Sequence, residues 1–463
     1  MKKRYIDMLQ GPLFPSIIRY TIPIILTSVL QLLFNAADLV IVGQYCGSIS
    51  VAAVGATGSI INLIVNLFIG LSVGAGVTVA HAWGSHDDVE VHRTVHTSML
   101  VALVGGVILT IVGVCFSETF LRWMKTPENV LELSAVYMRI YFCGILFSLV
   151  YNFCASILRA AGDTKGPLMY LSIAGVVNVG LNVIFVRYFH MNVAGVALAT
   201  TISQGISAAL TVLALKCRLD ACRLNFRKIR FYKEQFLKLV RIGLPAGIQG
   251  ALFSIANVMI QSSINGFGDV VVSGNAAAGN IEGFVYVIMN GFHQTALNFA
   301  GQNTGAKQYR RVLKVLWICL GCVAVAGLIS GVSAYGAGQV LLSFYITDSP
   351  EAISVGMTRL MYLALPYFVC GLMDVSTGVL RGVGASISPM IISILGICGL
   401  RIAWIHTIFK IPAYHTPEVL YLTYLVSWIV TFAAEMIAFV VVYRRKVKQT
   451  PAAINGAGKI PDA

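Results

Sequence analysis

Four carboxylates (Asp38, Glu282, Asp374 and Glu435) and three arginines (Arg139, Arg359 and Arg401) fall inside long apolar stretches of the sequence. A charge at bilayer depth is costly, so such residues mark ion or substrate pathways unless they pair with one another. Asp38 lies far into the first apolar run. Taking water from a carboxylate favours its protonated form, and an acid in that setting can alternate between holding a proton and facing a cation. The competing reading of Asp38 is a structural carboxylate bonded to polar neighbours such as Asn178. Asn178 and Asn182 are four residues apart and share one face of a helix. Glu282, in GNIEGF, reads first as an acid on a cleft wall that attracts a cation, with a buried salt bridge to Arg359 or Arg401 as the competing reading. Asp374, in GLMDVSTG, reads equally as a cleft acid or as a partner of Arg359 or Arg401. Glu435 and Arg401 read as a structural pair, and Gln302 and Asn303 as caps of the eighth helix.

The elements that hold these residues follow from composition. The chain has 463 residues, of which 57% are hydrophobic and 11% charged, and its mean hydropathy is +0.81. Soluble domains carry about 25% charged residues, so this chain reads as an all-α integral membrane protein. A bilayer core about 30 Å thick needs about 20 apolar residues per helix. Twelve stretches qualify: Ser16–Gly43, Val51–Trp83, Thr94–Cys115, Leu131–Leu158, Pro167–Phe189, Gly195–Leu215, Leu239–Phe267, Val272–Asn303, Val312–Tyr335, Val355–Leu380, Pro389–Phe409 and Val419–Tyr443. A membrane barrel would instead alternate in polarity along each strand.

Lys and Arg total 33 against 19 acids, a net charge of +14. No basic groove interleaved with aromatics lies outside the spans, so nucleic acid is not an expected partner; the excess suits cytoplasmic loops facing anionic headgroups of the lipid bilayer. One side collects Lys2, Lys3, Arg4, Arg93, Arg159, Lys165, the stretch 216–241, Lys307, Arg310, Arg311, Lys314, Arg381, Arg444, Arg445, Lys446 and Lys448. The other holds only Arg122, Lys125, Arg187 and Lys410. Both termini are therefore expected in the cytoplasm of a multi-pass protein of the cell membrane. Residues 1–215 form an N-terminal six-helix bundle in this reading, 216–238 a basic cytoplasmic linker, 239–448 a C-terminal six-helix bundle and 449–463 a disordered cytoplasmic tail. The long basic linker is expected to lie on the membrane as an amphipathic helix. The first fifteen residues have no compact apolar core followed by a small-residue cleavage site, so no cleavable signal is read there.

The second half echoes the first at a shift of 222 residues. Pro23 meets Pro245, Asn35 meets Asn257, and LRAAGDTKGP from Leu158 meets LRGVGASISP from Leu380. Six spans per half is an even number, so the halves share one orientation and form a parallel repeat, two pseudo-symmetric bundles around a central cleft. That architecture suits alternating access better than a channel, which is more naturally built from identical subunits around a pore. Pro23 and Pro245 could act as hinges. Most glycines are read as packing residues.

Taken together, NAAD at Asn35, LRAAGDTKGP at Leu158, NVGLN at Asn178, GVALATTISQ at Gly195 and AGQNTGAKQYRR at Ala300 resemble the multidrug and toxic compound extrusion family, in its bacterial DinF-like branch. The resemblance covers about Gly11 to Tyr443. It implies a secondary antiporter without a cofactor that exports organic cations, often drugs, driven by an inward proton or sodium gradient. It implies Asp38 as the main coupling carboxylate, with Asn178, Thr200 and Tyr137 at further polar positions of the same cluster; ordinary interhelical hydrogen bonding is the equal reading of Thr200 and Tyr137. Family members often have an aspartate where this chain has Asn182. That departure removes one negative charge and weakens a sodium site at Asp38 and Asn178. Small organic cations are the expected partners of a monomer.

Other chemistry finds little support. A flippase of a lipid-linked precursor could share the architecture, but a cleft for pyrophosphate should carry Arg and Lys, and the candidates here are acids and amides. No H-E-x-x-H or G-x-x-x-x-G-K-[ST] sequence occurs, and the one G-x-S-x-G, at Gly70–Gly74, lies inside a long apolar run rather than at a strand-to-helix turn, so neither an enzyme nor an ATP-driven pump is expected. Cys319 and Cys322 form a C-x-x-C inside an apolar helix, where two small buried hydrophobes are the simpler account. His92 and His96 lack a third ligand and are read as an interfacial pair rather than a metal site. The 23 Phe, 19 Tyr and 5 Trp residues designate no aromatic cage.

Overall fold

The computed structural model describes residues 5–124, 126–347 and 349–449. Lys2, Lys3, Arg4, Lys125 and the expected tail from 450 onward lie outside the described residues. Among those described, all regular structure is helical. Backbone proximity divides the chain into two units. Unit 1 takes Ile22–Trp83 and Asp87–Ala251, with the described residues before Asp7; unit 2 takes Asp7–Thr21, Gly84–His86 and the described residues from Leu252 on.

Unit 1 is built from α1 (Leu13–Cys46) after its first turns, α2 (Ser48–Gly84), α3 (Asp88–Trp123), α4 (Glu128–Ala160), α5 (Lys165–Val183), α6 (Asn192–Lys216) and the first half of α7 (Lys233–Asn265). Unit 2 holds the rest of α7, then α8 (Asp269–Gly305), α9 (Tyr309–Gly336), the short α10 (Gly338–Ser343), α11 (Pro350–Leu363), α12 (Tyr367–Gly382), α13 (Ile387–Ser393), α14 (Leu400–His406) and α15 (Pro417–Lys448). Two π-helical segments, Ile184–Tyr188 and Ile394–Gly399, follow α5 and α13. Helix starts obey local chemistry. The Asp87 carboxylate accepts from the Glu90 amide at 2.8 Å ahead of α3, and Ser349 caps α11 with Pro350 in its first turn.

Ten described helices or helix runs are long and apolar enough to cross a bilayer, and the pair α11 and α12, bent by 45° at its break, makes an eleventh. The expected span Val272–Asn303 lies within α8, which is long enough but falls short on apolarity. Its polar residues include Asn275, Glu282, His293, Asn298, Gln302 and Asn303, all buried, so this helix places its polar side chains against protein. The expected single span Val355–Leu380 is likewise interrupted, between Leu363 and Tyr367. The chain is thus an all-α, multi-pass membrane protein.

The repeat is written into the backbone. Gly162 and Gly384, 222 apart, take φ of 90° and 86°, which a residue with a Cβ rarely adopts. Each ends its helix in the same way: the Gly162 and Gly384 amides donate to Arg159 and Arg381 carbonyls at 2.9 Å, and the next amides donate to Leu158 and Leu380 at 2.9 Å. His86 and Lys307 both sit at φ 57°. Val104, Val107, Ile108 and Ile111 on α3 form an exposed apolar stripe. Val325, Leu328, Ile329 and Val332 repeat it on α9. This i, i+3, i+4, i+7 spacing is one face of a helix, and an exposed apolar face of this kind suits lipid. In unit 1, α4 packs on α3 and α6; in unit 2, α12 packs on α9 and α15.

Within unit 1, α2 and α7 meet backbone to backbone. A Cβ added at Gly70 would lie 2.2 Å from the Gly247 nitrogen, and one at Gly74 2.3 Å from the Leu239 carbonyl oxygen. Small residues permit this approach. The basic linker departs from expectation. Residues 217–232 form a loop with one 3-10 turn at Phe226–Lys228, and Lys233 already starts α7. Side chains compete with helix formation there: the Asp220 carboxylate accepts from the Cys222 amide and the Asn225 side chain from the Arg227 amide, each at 3.1 Å. His96 fastens the loop through the Asn225 backbone at 3.1 Å.

Candidate functional site

In unit 1 the sequence-nominated polar residues converge. Phe34 on α1 lies against Gly175 on α5, where an added Cβ would come within 1.8 Å of the phenyl ring. One turn further along α1 stands Asp38, and one and two turns further along α5 stand Asn178 and Asn182. The missing side chain at Gly175 therefore sets the approach of the two helices and brings the acid to the amides. Asn182 Nδ2 donates to Asp38 Oδ1 at 2.5 Å and to Asn178 Oδ1 at 3.3 Å. From α6, Thr200 Oγ1 donates to Asp38 Oδ2 at 3.4 Å, and Asn178 Nδ2 reaches Thr200 at 3.5 Å. Asp38 is half-buried, whereas Asn178 is 4% and Asn182 0% exposed.

The bond to Asp38 that its competing structural reading assigned to Asn178 is made by Asn182, one turn further along α5. Tyr137 on α4 is buried and stacks on Tyr141 with ring centroids 6.3 Å apart. It lies in the electrostatic field of Asp38, with no hydrogen bond between the two among the described residues. Asp38 has no salt bridge among the described residues. Asn182 Oδ1 is buried and has no partner. With Asp38 ionised the cluster carries one formal negative charge, and the Asn182 oxygen is left unfilled. Such a set suits a proton or a hard cation, for which oxygen ligands are preferred. Among the described residues no three His, Cys, Asp or Glu side chains gather as a metal site.

The acids of unit 2 have different surroundings. Glu282 on α8 is bridged by Arg359 of α11 through two parallel bonds of 2.8 Å, with side chains 8% and 11% exposed. Arg359 also donates to Asn275, which bonds Gln261 at 3.0 Å. Of the two readings of Glu282, the cleft acid gives way to the ion pair with Arg359: a guanidinium fork fills both oxygens. The pairing of Glu435 with Arg401 is also corrected. Arg401 on α14 donates to Asn257 at 3.1 Å and to Ser427 at 3.3 Å and covers the Tyr424 ring at 4.0 Å. Glu435 on α15 is instead held by hydroxyls, Thr377 at 2.7 Å and Ser393 at 3.1 Å. Asp374 is half-buried and faces Arg381 electrostatically, while its backbone carbonyl meets His293 Nδ1 at 2.6 Å.

Three lesser expectations also resolve. Arg139 is not buried; it meets Glu118 at 3.3 Å with its side chain 47% exposed. Asn303 is no helix cap: its amide donates to the Met8 and Phe299 carbonyls in the interior of unit 2. His92 and His96 stack at 4.0 Å. Sequence reading passed over Thr377 and Ser393, because single hydroxyls in apolar helices are common and only the fold shows which acid they serve.

Comparison with known proteins agrees with this organisation. The MatE family model matches twice, over residues 23–184 and 245–405, and the two matches start 222 residues apart. The probable multidrug resistance protein YpnP of Bacillus subtilis (strain 168) is 28% identical over 396 residues, 85% of this chain and 88% of that protein. The FAD transporter of Shewanella oneidensis is 22% identical over 401 residues, 85% of this chain and 87% of its own length. A solved structure described as the outward-facing conformation of a multidrug resistance MATE family transporter has the same fold, with a TM-score of 0.87 at 20% identity, covering 99% of this chain and 100% of that one. These relatives are transporters and not enzymes. With the family model matched in both halves and over most of its length, the chain belongs to the MatE family of multi-pass membrane transporters.

Proposed function

We propose that this protein is a secondary antiporter of the DinF-like branch that exports small organic cations across the cytoplasmic membrane by alternating access. The observation that carries the reading is the acid in unit 1: Asp38 held by Asn182 and Thr200, with the Asn182 oxygen left unfilled. A buried polar group without a partner is costly, and an arriving ion supplies the missing partner. With a proton on Asp38, the cluster is neutral. With the proton gone, it carries a charge that either sodium or a cationic substrate can balance. Asp38 and Asn178 are the first ligands for sodium in this reading, and Asn182 in place of a second acid makes the proton the better matched ion. Tyr137 forms a buried wall beside the acid, and Asp374 is the further acid that meets substrate.

The same reading takes α8 as a twelfth span and places residues 1–215 and 239–448 as two six-helix bundles around a cleft. The 216–238 linker and both termini are cytoplasmic, and the transporter is a monomer. Relatives described as multidrug resistance proteins support export of drugs, and the FAD transporter among them points to cargo that varies between relatives. The test is dye efflux from inverted vesicles carrying Asp38→Asn, with proton and sodium gradients imposed separately. Efflux should vanish under either gradient while the protein still inserts. Wild-type efflux from a well-expressed Asp38→Asn protein would remove the mechanism.

A further inference from the structure

Unit 2 contains an acid that the coupling scheme above leaves idle. Glu435 is 0% exposed and sits near the middle of α15, the helix Pro417–Lys448. It has no salt bridge among the described residues. Thr377 of α12 and Ser393 of α13 both donate to Oε1. The other oxygen, Oε2, is buried and has no hydrogen-bond partner. The charged groups that face it are Asp374 and Arg381, both on α12.

This pattern is lopsided in a telling way. An ionised carboxylate distributes its charge over two oxygens and needs donors at both; leaving one bare in a dry interior carries the full desolvation penalty. A carboxylic acid, by contrast, has one carbonyl oxygen that accepts and one hydroxyl. Glu435 has the neighbours of the acid form: two hydroxyls on one oxygen and none on the other. A second unfilled oxygen lies one helical turn away. Thr431 Oγ1 is buried without a partner and is pressed against Gly396, where an added Cβ would come within 2.3 Å of it. Gly396 belongs to the π-helical segment Ile394–Gly399, which begins directly after Ser393. Such widened turns are frequent at functional sites.

We propose that Glu435 is a second proton-carrying residue of the transport cycle, housed within unit 2 and separate from Asp38; the proposal deepens the antiport reading and rests on it. Loading forms one O–H bond, between Oε2 and a proton delivered by water. Unloading breaks that bond and returns the proton to water, so nothing is oxidised or reduced. Thr377 and Ser393 keep hold of Oε1 in both states and act as positioning residues. Thr431, at i−4 on the same helix, carries the other unfilled oxygen of this region.

The experiment uses the full chain purified in detergent and, in parallel, reconstituted in liposomes. Infrared difference spectra between acid and alkaline pH report protonated carboxyls without requiring transport. A component of the carboxyl band should be lost in Glu435→Gln and kept in Asp38→Asn. Glu435→Gln retains an oxygen for Thr377 and Ser393, so its melting temperature should match the wild type. In liposomes its proton-driven export of dye should be lost. An unchanged carboxyl band, or wild-type export with an unchanged pH profile, overturns the proposal. Should Glu435→Gln fail to fold, Thr377→Val and Ser393→Ala test the same point: each should displace the pH at which that component titrates, and no displacement in either overturns it. Persistent export by Asp38→Asn would sink the antiport reading itself and leave the infrared result standing.

Discussion

Asp38 in unit 1 and Glu282 in unit 2 both arise as isolated acids in apolar helices, yet their neighbours differ. Asp38 is met by an amide and a hydroxyl, groups that hydrogen-bond without neutralising its charge. Glu282 is met by a guanidinium on both oxygens. A charge already neutralised has little to gain from a passing ion, and breaking such a pair leaves a buried charge alone. The contrast teaches that the identity of the partner, more than depth in the membrane, separates an acid that can exchange ions from one that braces the fold. Glu435 makes a third kind, wholly buried and held through one oxygen.

The sharpest break in that comparison would come from Asp38→Asn, expected to abolish gradient-driven efflux with insertion intact. Next in size is Arg359→Gln, which strands Glu282 in a buried site. A loss of about 3–5 kcal/mol is expected for breaking a buried pair, read as a fall in melting temperature in detergent. Joint replacement of Glu282 and Arg359 by Gln should recover part of it, and a double variant no more stable than the single would refute the bracing role. Gly175→Leu drives a side chain into Phe34 and separates the acid from its amides. Overpacking of this kind costs about 1–3 kcal/mol, and the variant should lose efflux out of proportion to its stability. Asn182→Asp restores a second carboxylate beside Asp38 and should raise the sodium dependence of efflux; identical responses to the two gradients before and after the change would argue against ion binding at this cluster.

The smallest effect concerns the loop between α6 and α7. Cys217 is exposed and Cys222 buried, and burial pushes the Cys222 thiol up to about 12. Alkylation needs the thiolate, and a raised value means little thiolate near neutral pH. A membrane-impermeant maleimide should therefore label Cys217 and spare Cys222. With Cys217 as the sole remaining cysteine, labelling should occur in inverted vesicles and not in intact cells; the reverse pattern would invert the topology.

Much of the fold was legible in the sequence because apolar length and a 222-residue echo are properties of whole segments. Gly162 and Gly384 could be matched from sequence alone, and both adopt the same left-handed backbone. The interruption between Leu363 and Tyr367, and the low apolarity of α8, were missed for the same reason: both are local features averaged away over a long window. The site was legible in part. Asp38, Asn178, Asn182 and Thr200 were nominated and do meet. Partner choice was not legible. At a shift of 222, Asp38 falls on Ile260 and Glu435 on Leu213, so the acids are private to each half and the repeat gives no guide to what surrounds them. Arg359 and Arg401 are equally plausible partners on paper; only their helices decide that one reaches Glu282 and the other Asn257.

The glycine contact between α2 and α7 has a consequence for leakage. Where a single added methyl would collide with the opposite main chain at Gly70 and Gly74, there is no room for a water molecule, which needs a cavity of about one probe sphere. Along those turns the two helices make a dry seam. Hydrated ions that reach it have no path between the helices, so this stretch of unit 1 resists the uncoupled trickle that would drain a gradient.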